Sequence, residues 1–449
     1  MTVTAKIFID SGNGKCYYAS EEKCRMRHKN STGGIVVEIK RDKYLNQLIE
    51  KRKDGMIKVI TGIRRCGKSY LLDPLYKNYL LEDGVSPDHI IKFELDRAIN
   101  MKYHSNPEML ERDILDLLKD DETYYVILDE IQLVERFEFV VSGLLHEPNI
   151  DIYITGSNSK FLSTDIITEF RGRGEQIHVN ALSFAEFYPV SGQEKFDAWN
   201  EYLTYGGMPL IVSKRSDAEK SSYLKELFEQ TYISDIVERN HIKRLDIMDA
   251  IVNILASSVG SLTNPQKVFE TFKSNGEKEL SLNTVNSYIS FLEDAFIVKK
   301  ALRFDVKGRK YINTPQKYYF SDLGLRNARL NFRQQEESHL MENAIYNELI
   351  MRGFNVDVGV VEIREGNKRI QTEVDFVCNL GGNRYYIQSA LNLATPEKTL
   401  QESRSLNHIP DNFKKIIVVK DYIKPWKTEE GILVLGIIDF LLNEASIDK

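Results

Sequence analysis

Gly62-Ile63-Arg64-Arg65-Cys66-Gly67-Lys68-Ser69 follows the pattern G-x-x-x-x-G-K-[ST]. The run before it, Ile57-Lys58-Val59-Ile60-Thr61, is largely apolar and β-branched, the composition of a strand. After it, Tyr70, Leu71, Leu72, Leu75, Tyr76, Tyr79 and Leu80 recur as a helical pattern. A strand, a glycine loop and a helix start, in that order, make an anion cradle. Backbone N–H groups and the helix dipole face phosphate, Lys68 adds a point charge, and Ser69 can hold Mg²⁺. Gly62 and Gly67 allow backbone angles that a side chain would forbid. An accidental glycine turn would lack the flanking strand and helix. Gly62 through Tyr70 are therefore the candidate binding residues, with ATP and Mg²⁺ as the expected ligands.

Further along, Tyr125-Val126-Ile127-Leu128 leads into Asp129-Glu130. An apolar strand ending in two carboxylates, downstream of a phosphate loop, is the Walker B arrangement. Asp129 is the candidate Mg²⁺ ligand, with Ser69, and Glu130 is placed to orient and deprotonate a water. Alone, such a strand would be ordinary; its distance from the loop, with a helix and a strand between, gives it meaning. The next strand ends in Thr155-Gly156-Ser157-Asn158-Ser159, where Ser157 and Asn158 are candidate γ-phosphate sensors and a plain turn is the alternative. Arg171-Gly172-Arg173-Gly174 follows. Arg173, with Arg171 second, is the candidate arginine finger, acting from within the chain or from a neighbouring subunit; a solvated surface turn is the bland alternative. Arg64 and Arg65 have no assigned target.

The 449 residues carry 42% hydrophobic side chains and a formal charge of −6, with pI near 5.9. Such a balance argues against a uniformly basic nucleic-acid binder while permitting a local basic face. The four cysteines, Cys16, Cys24, Cys66 and Cys378, form no C-x-x-C pair, which fits a reducing cytoplasmic setting. No run approaches the roughly 18 apolar residues of a membrane helix, so no membrane contact is expected. Strands near 90–95, 124–128 and 151–155 alternate with helical patterns, which indicates a three-layer α/β domain with a mainly parallel sheet. The expected division is a loosely ordered extension (1–36), a phosphate-loop domain (37–188), a helical and winged-helix region (189–334) and a third α/β unit (335–449).

As a set, Gly62–Ser69, Leu128-Asp129-Glu130-Ile131-Gln132, Thr155–Ser159, Leu182-Ser183-Phe184-Ala185-Glu186-Phe187, Tyr205-Gly206-Gly207-Met208-Pro209 and Lys317–Arg326 resemble the prokaryotic AAA-superfamily ATPases that carry a C-terminal domain of unknown function. The resemblance spans about residues 38–449. It implies an AAA core that binds and hydrolyses ATP, a winged helix, and a C-terminal domain similar to restriction endonucleases. That last domain departs from the PD-(D/E)xK pattern. Glu342 and Asp375 are in place, but Gln388 stands where an acid should be and Ala390 where the lysine should be. An amide is a poor Mg²⁺ ligand, so the fold is expected without efficient cleavage. A basic stretch, Lys299–Lys317, offers contact to DNA or RNA on the wing, or else a solvated hairpin or an intramolecular dock for the acidic remainder. The expected activity is ATP-driven conformational change. The alternatives are an ATP-gated adaptor with little turnover and an ATP-dependent nuclease. Further copies of the chain are candidate partners.

Overall fold

The computed structural model describes residues 7–8, 38–156, 170, 172–277, 279–333, 336–366 and 368–448. These fall into two compact units. One comprises Met1–Ala181, Met208–Arg215 and Asp294–Phe296; the other comprises Leu182–Gly207, Ser216–Glu293 and Ile297–Lys449.

In the first unit, β1 (Ile7–Phe8) pairs with β2 (Glu38–Ile39) antiparallel. The main sheet contains β3 (Ile57–Thr61), β4 (Ile90–Glu94), β5 (Tyr124–Asp129), β6 (Ile150–Thr155) and β7 (Gly174–His178), in the order β4-β5-β6-β3-β7. Every neighbouring pair is parallel. All residues of β3 and β5 are buried, the mark of a sheet covered on both faces. Ile57, Val59, Val126, Leu128, Ile152 and Ile154 belong to one core with Leu110 and Ile114 of helix Pro107–Leu115 and Val140, Val141 and Leu144 of helix Phe137–Leu144. The lysine inside β3 is also buried. Lys58 Nζ lies 2.6 Å from both Asp54 and Asp151, which supply the counter-charge a buried ammonium requires.

From β3 the chain crosses to the far edge at β4, works back through β5 and β6, and passes over to β7. The winding reverses at β3, and in such sheets ligands bind outside the carboxyl ends of the strands at that point. The helix after the loop is not continuous as the apolar spacing suggests. It runs Lys68–Tyr70, widens over Leu71–Tyr76, where Asp73 leaves helical angles (φ −142°, ψ 108°), and resumes over Lys77–Glu82. Pro74 is the cause, because it has no N–H to donate and its ring crowds the preceding turn.

The second unit begins with helices, among them Lys195–Tyr205, Leu245–Ser257 and Pro265–Ser274. Its strands are β8 (Val298–Asp305), β9 (Lys310–Phe320), β10 (Asn355–Glu365), β11 (Lys368–Leu380), β12 (Asn383–Ala390), β13 (Lys414–Val419), β14 (Trp426–Lys427) and β15 (Leu433–Gly436). They form one eight-stranded sheet, ordered β14-β15-β13-β12-β11-β10-β8-β9. The β8–β9 hairpin, read from sequence as a wing, is an edge of this sheet: Arg303, Phe304 and Asp305 pair in parallel with Val358, Gly359 and Val360.

Two of the motif stretches prove to be one packing device. The Gly207 N–H donates to Asp322 Oδ2 at 2.7 Å, and the Leu325 N–H donates to Asp322 Oδ1 at 3.0 Å, capping helix Leu323–Arg329. A Cβ on Gly206 would sit 2.3 Å from Asp322 Oδ1, and one on Gly324 would sit 2.0 Å from the Tyr205 carbonyl oxygen. Only glycine permits that approach.

Candidate nucleotide site

The loop Gly62–Ser69 leaves the carboxyl end of β3. Gly62 has φ +141°, and a Cβ there would lie 2.1 Å from the Val179 carbonyl oxygen. Gly67 has φ +102° and precedes the first helical turn. The Cys66 thiol is buried and donates to Val179 O at 3.2 Å; burial pushes its pKa up, so it packs the loop as a neutral thiol. Ile63 is also buried, whereas Arg64, Arg65 and Ser69 are exposed and Tyr70 is half-buried. Arg65 takes a left-handed φ of +64°. Lys68 turns back over the loop, with Nζ 3.0 Å from Gly62 O and 3.3 Å from Ile63 O.

Both candidate metal-binding residues meet. Ser69 Oγ donates to Asp129 Oδ1 at 3.1 Å. Asp129 closes β5, two strands from β3, and is 5% exposed. Burial raises its pKa, opposed by the hydrogen bonds from Thr155 and Ser69. Thr155, at the end of the intervening β6, joins the two acids: its hydroxyl donates to Asp129 Oδ1 and accepts the Glu130 N–H at 3.0 Å. Glu130 itself sits at φ +54°, turning the chain sharply after the strand, and its carboxylate accepts from Gln132 Nε2. Oxygen donors from one hydroxyl and one carboxylate suit Mg²⁺, which takes few protein ligands and completes its shell with water and phosphate.

Thr155, not a candidate in the sensor stretch Thr155–Ser159, is the residue that joins the acids; the candidates Ser157 and Asn158, like Arg171, lie outside the described residues. Lys92 of β4 contacts Asp73 at 2.9 Å and Glu94 at 2.8 Å. A charged residue in a strand gives no sequence sign of such contacts.

Arg173 is not brought to the loop. It precedes β7, whose first residue pairs with Ile57 and whose last pairs with Thr61. At about 3.3 Å per residue, the strand holds Arg173 roughly 16 Å from the loop end of the sheet. There the exposed Arg173 lines a cavity of about 390 Å³ with Glu138, Phe139 and His146. Action on its own chain's loop is thus at odds with the strand direction.

In the second unit the basic stretch divides. Lys307, Arg309 and Lys310 are exposed at the hairpin tip. Lys317, by contrast, is buried, with Nζ 2.9 Å from Glu342, 2.6 Å from Glu373 and 3.6 Å from Asp375. It cannot offer its charge to a phosphate backbone, which corrects its inclusion in the nucleic-acid strip. Tyr319 OH also donates to Glu342, at 2.6 Å. Asp375 Oδ2 accepts from the Ser389 N–H at 2.9 Å. Burial and the neighbouring Asp375 push Glu342 up to about 7, against the pull of Lys317. The acids that match the nuclease pattern are thus drawn onto an ammonium, and among the described residues no group of 3 or more His, Cys, Asp or Glu side chains is arranged to hold a metal ion. Nor is any helix among them long and apolar enough to cross a membrane.

A family model described as an AAA domain matches residues 54–188, and one for a domain of unknown function matches residues 196–336. An uncharacterized protein of Haemophilus influenzae is 33% identical over 412 residues, spanning 90% of this chain and 99% of its own length. Another, of Methanocaldococcus jannaschii, is 29% identical over 372 residues, 80% of each chain. Among solved structures, the Walker-type ATPase of Pyrococcus abyssi is similar with a TM-score of 0.44 and 13% identity, over 64% of this chain and 94% of that one.

Proposed function

The chain belongs to one family with its Haemophilus influenzae relative and matches an AAA domain over residues 54–188, and from that premise we propose that it binds ATP with Mg²⁺ and hydrolyses it to drive conformational change. The observation that carries this reading is the 3.1 Å contact between Ser69 and Asp129, which joins the phosphate loop to the end of the acidic strand. The Lys68 ammonium exchanges its two loop carbonyls for phosphate oxygens. Ser69 and Asp129 hold Mg²⁺, which when bound neutralises phosphate charge. Glu130 orients a water toward the γ-phosphorus and takes its proton as the bond to the departing ADP oxygen breaks. Thr155 fixes the geometry of both acids. Ser157 and Asn158 contact the γ-phosphate or the water, and Arg173 reaches the site of a neighbouring copy.

The rest of the proposal concerns the second unit. Its sheet-edge hairpin meets DNA or RNA through Lys307, Arg309 and Lys310. Residues 335–449 keep a restriction-endonuclease-like fold without cleavage, in a cytoplasmic protein. Support for the lack of cleavage comes from Gln388, Ala390 and the Lys317 ion cluster.

The binding half of this account is tested with Lys68→Ala. Charge-assisted hydrogen bonds are worth about 1.5–3 kcal/mol, so ATP affinity measured by titration calorimetry should fall roughly 10- to 150-fold. Unchanged affinity would remove Lys68 from the phosphate site.

A further inference from the structure

One face of the second unit's sheet gathers a set of groups that neither ATP turnover nor the ion cluster uses. Phe304 of β8 pairs with Tyr311 of β9, Asn355 of β10 with Asn379 of β11, and Asn379 with Arg384 of β12. Directly opposed residues share a face, and Asp357, two residues from Asn355, shares it too. Together they line a cavity of about 530 Å³, walled in part by Tyr346 of helix Glu337–Met351.

The chemistry of the lining is mixed in a particular way. Tyr311 is 58% exposed, and its ring meets Phe304 edge-on at 5.4 Å. The Arg384 guanidinium stands 5.5 Å from the Phe304 ring centre and donates to Asn379 Oδ1 at 2.8 Å. Tyr311 OH donates to Asp357 Oδ2 at 3.2 Å. The exposed Tyr311 ring offers a surface for stacking, the Arg384 guanidinium, which also stands 5.4 Å from the Phe413 ring centre, adds positive charge, and a carboxylate with two amides offers hydrogen-bonding edges. One residue away from Tyr311 the hairpin tip begins, with Lys310, Arg309 and Lys307 all exposed.

We propose that this cavity is a base-binding subsite for single-stranded nucleic acid. It deepens, and rests on, the reading of the hairpin tip as a phosphate contact. The tip cations follow the backbone, while an unstacked base enters beside Tyr311 and Arg384. A duplex keeps its base faces stacked and cannot fill the cavity. Asp357 accepts hydrogen bonds, so bases that present an exocyclic amino group, adenine, cytosine and guanine, bind better than thymine, whose donor is the ring N3–H alone.

The test is fluorescence anisotropy of the full-length chain with labelled oligo(dA), oligo(dC), oligo(dT) and a duplex, over a salt series. Base–aromatic stacking is worth about 1–3 kcal/mol per base, so Tyr311→Ala should weaken oligo(dA) roughly 5- to 150-fold. Tyr311→Phe, which keeps the ring, should bind nearly as the parent does and guards against a folding artefact. Asp357→Asn should narrow the gap between oligo(dA) and oligo(dT). Single strands bound equally well by Tyr311→Ala, or a duplex bound as tightly as single strands, would overturn the cavity proposal. In either case, weakened binding after reversal of Lys307, Arg309 and Lys310 to Glu would still uphold the hairpin reading. No binding of any oligonucleotide at low salt overturns both, and ATP turnover is measured separately.

Discussion

Replacing Lys317 with Met keeps the length of the side chain and deletes its charge. Lys317 Nζ lies 2.9 Å from Glu342, 2.6 Å from Glu373 and 3.6 Å from Asp375, on a side chain 4% exposed. Removing one partner of a buried ion pair typically costs about 3–5 kcal/mol, because the remaining charge is stranded. At a urea slope of about 2 kcal/mol per molar, that is a midpoint shift of roughly 2 M. The loss should depend on pH. Glu342 is raised in the fold to about 7 from a reference of 4.5. A raised carboxyl contributes stability that is full below the unfolded value and lost as pH climbs through the folded one. Lys317 lowers the Glu342 value, so its removal raises that value further and extends the loss to higher pH. The penalty of Lys317→Met is therefore largest near pH 8 and shrinks near pH 5, where Glu342 carries a proton with or without the lysine. Both tryptophans, Trp199 and Trp426, lie in the second unit, so urea unfolding followed by tryptophan fluorescence reads that unit directly. Adding Glu342→Gln should restore part of the loss at pH 8. A penalty below about 1 kcal/mol, or one that does not change between pH 5 and 8, would refute the ion-cluster account.

Three further substitutions, Thr155→Val, Gly62→Ala and Gly67→Ala, probe the nucleotide site. Thr155→Val keeps the shape but removes the hydroxyl that bridges Asp129 and the Glu130 N–H; a lost buried bridge worth about 1–3 kcal/mol should lower kcat for ATP roughly 5- to 150-fold, with phosphate release as the measurement. Gly62→Ala would put a Cβ 2.1 Å from Val179 O, whereas at Gly67 nothing lies within 4 Å. Thermal unfolding followed by circular dichroism should show Gly62→Ala to be the more damaging of the two, and equal melting temperatures would discount that close approach.

The phosphate loop, the acidic strand end and the parallel sheet were legible because each rests on local chemistry: glycine at positive φ, apolar strands, and acids just past a strand. Thr155 was harder to single out because its role depends on β6 lying between β3 and β5, and strand order is not written in spacing. The same holds for Arg173. Its Arg-Gly-Arg-Gly setting says turn, but only the parallel pairing of β7 with β3 shows that it stands at the far end of the sheet. Pro74 was in plain view; the apolar positions around it masked its effect on the helix. Lys317 shows a different limit. Among neighbouring cations it reads as surface, yet Gln316 through Phe320 of β9 are all buried, and residues from one helix and one distant strand supply the counter-charges of Lys317. Asp322 and Gly207, far apart in the chain, likewise acquire meaning only as a contact.

The central claim, hydrolysis at the loop with Glu130 as the base, is tested most directly by steady-state phosphate release from the full-length chain and its Glu130→Gln variant, with and without nucleic acid. General-base catalysis contributes about 10²- to 10⁴-fold. The account predicts turnover by the parent chain, a fall of at least about 100-fold in the variant, and ATP affinity that stays close to that of the parent. No turnover by the parent under either condition, or a variant that hydrolyses ATP at the parental rate, would contradict it.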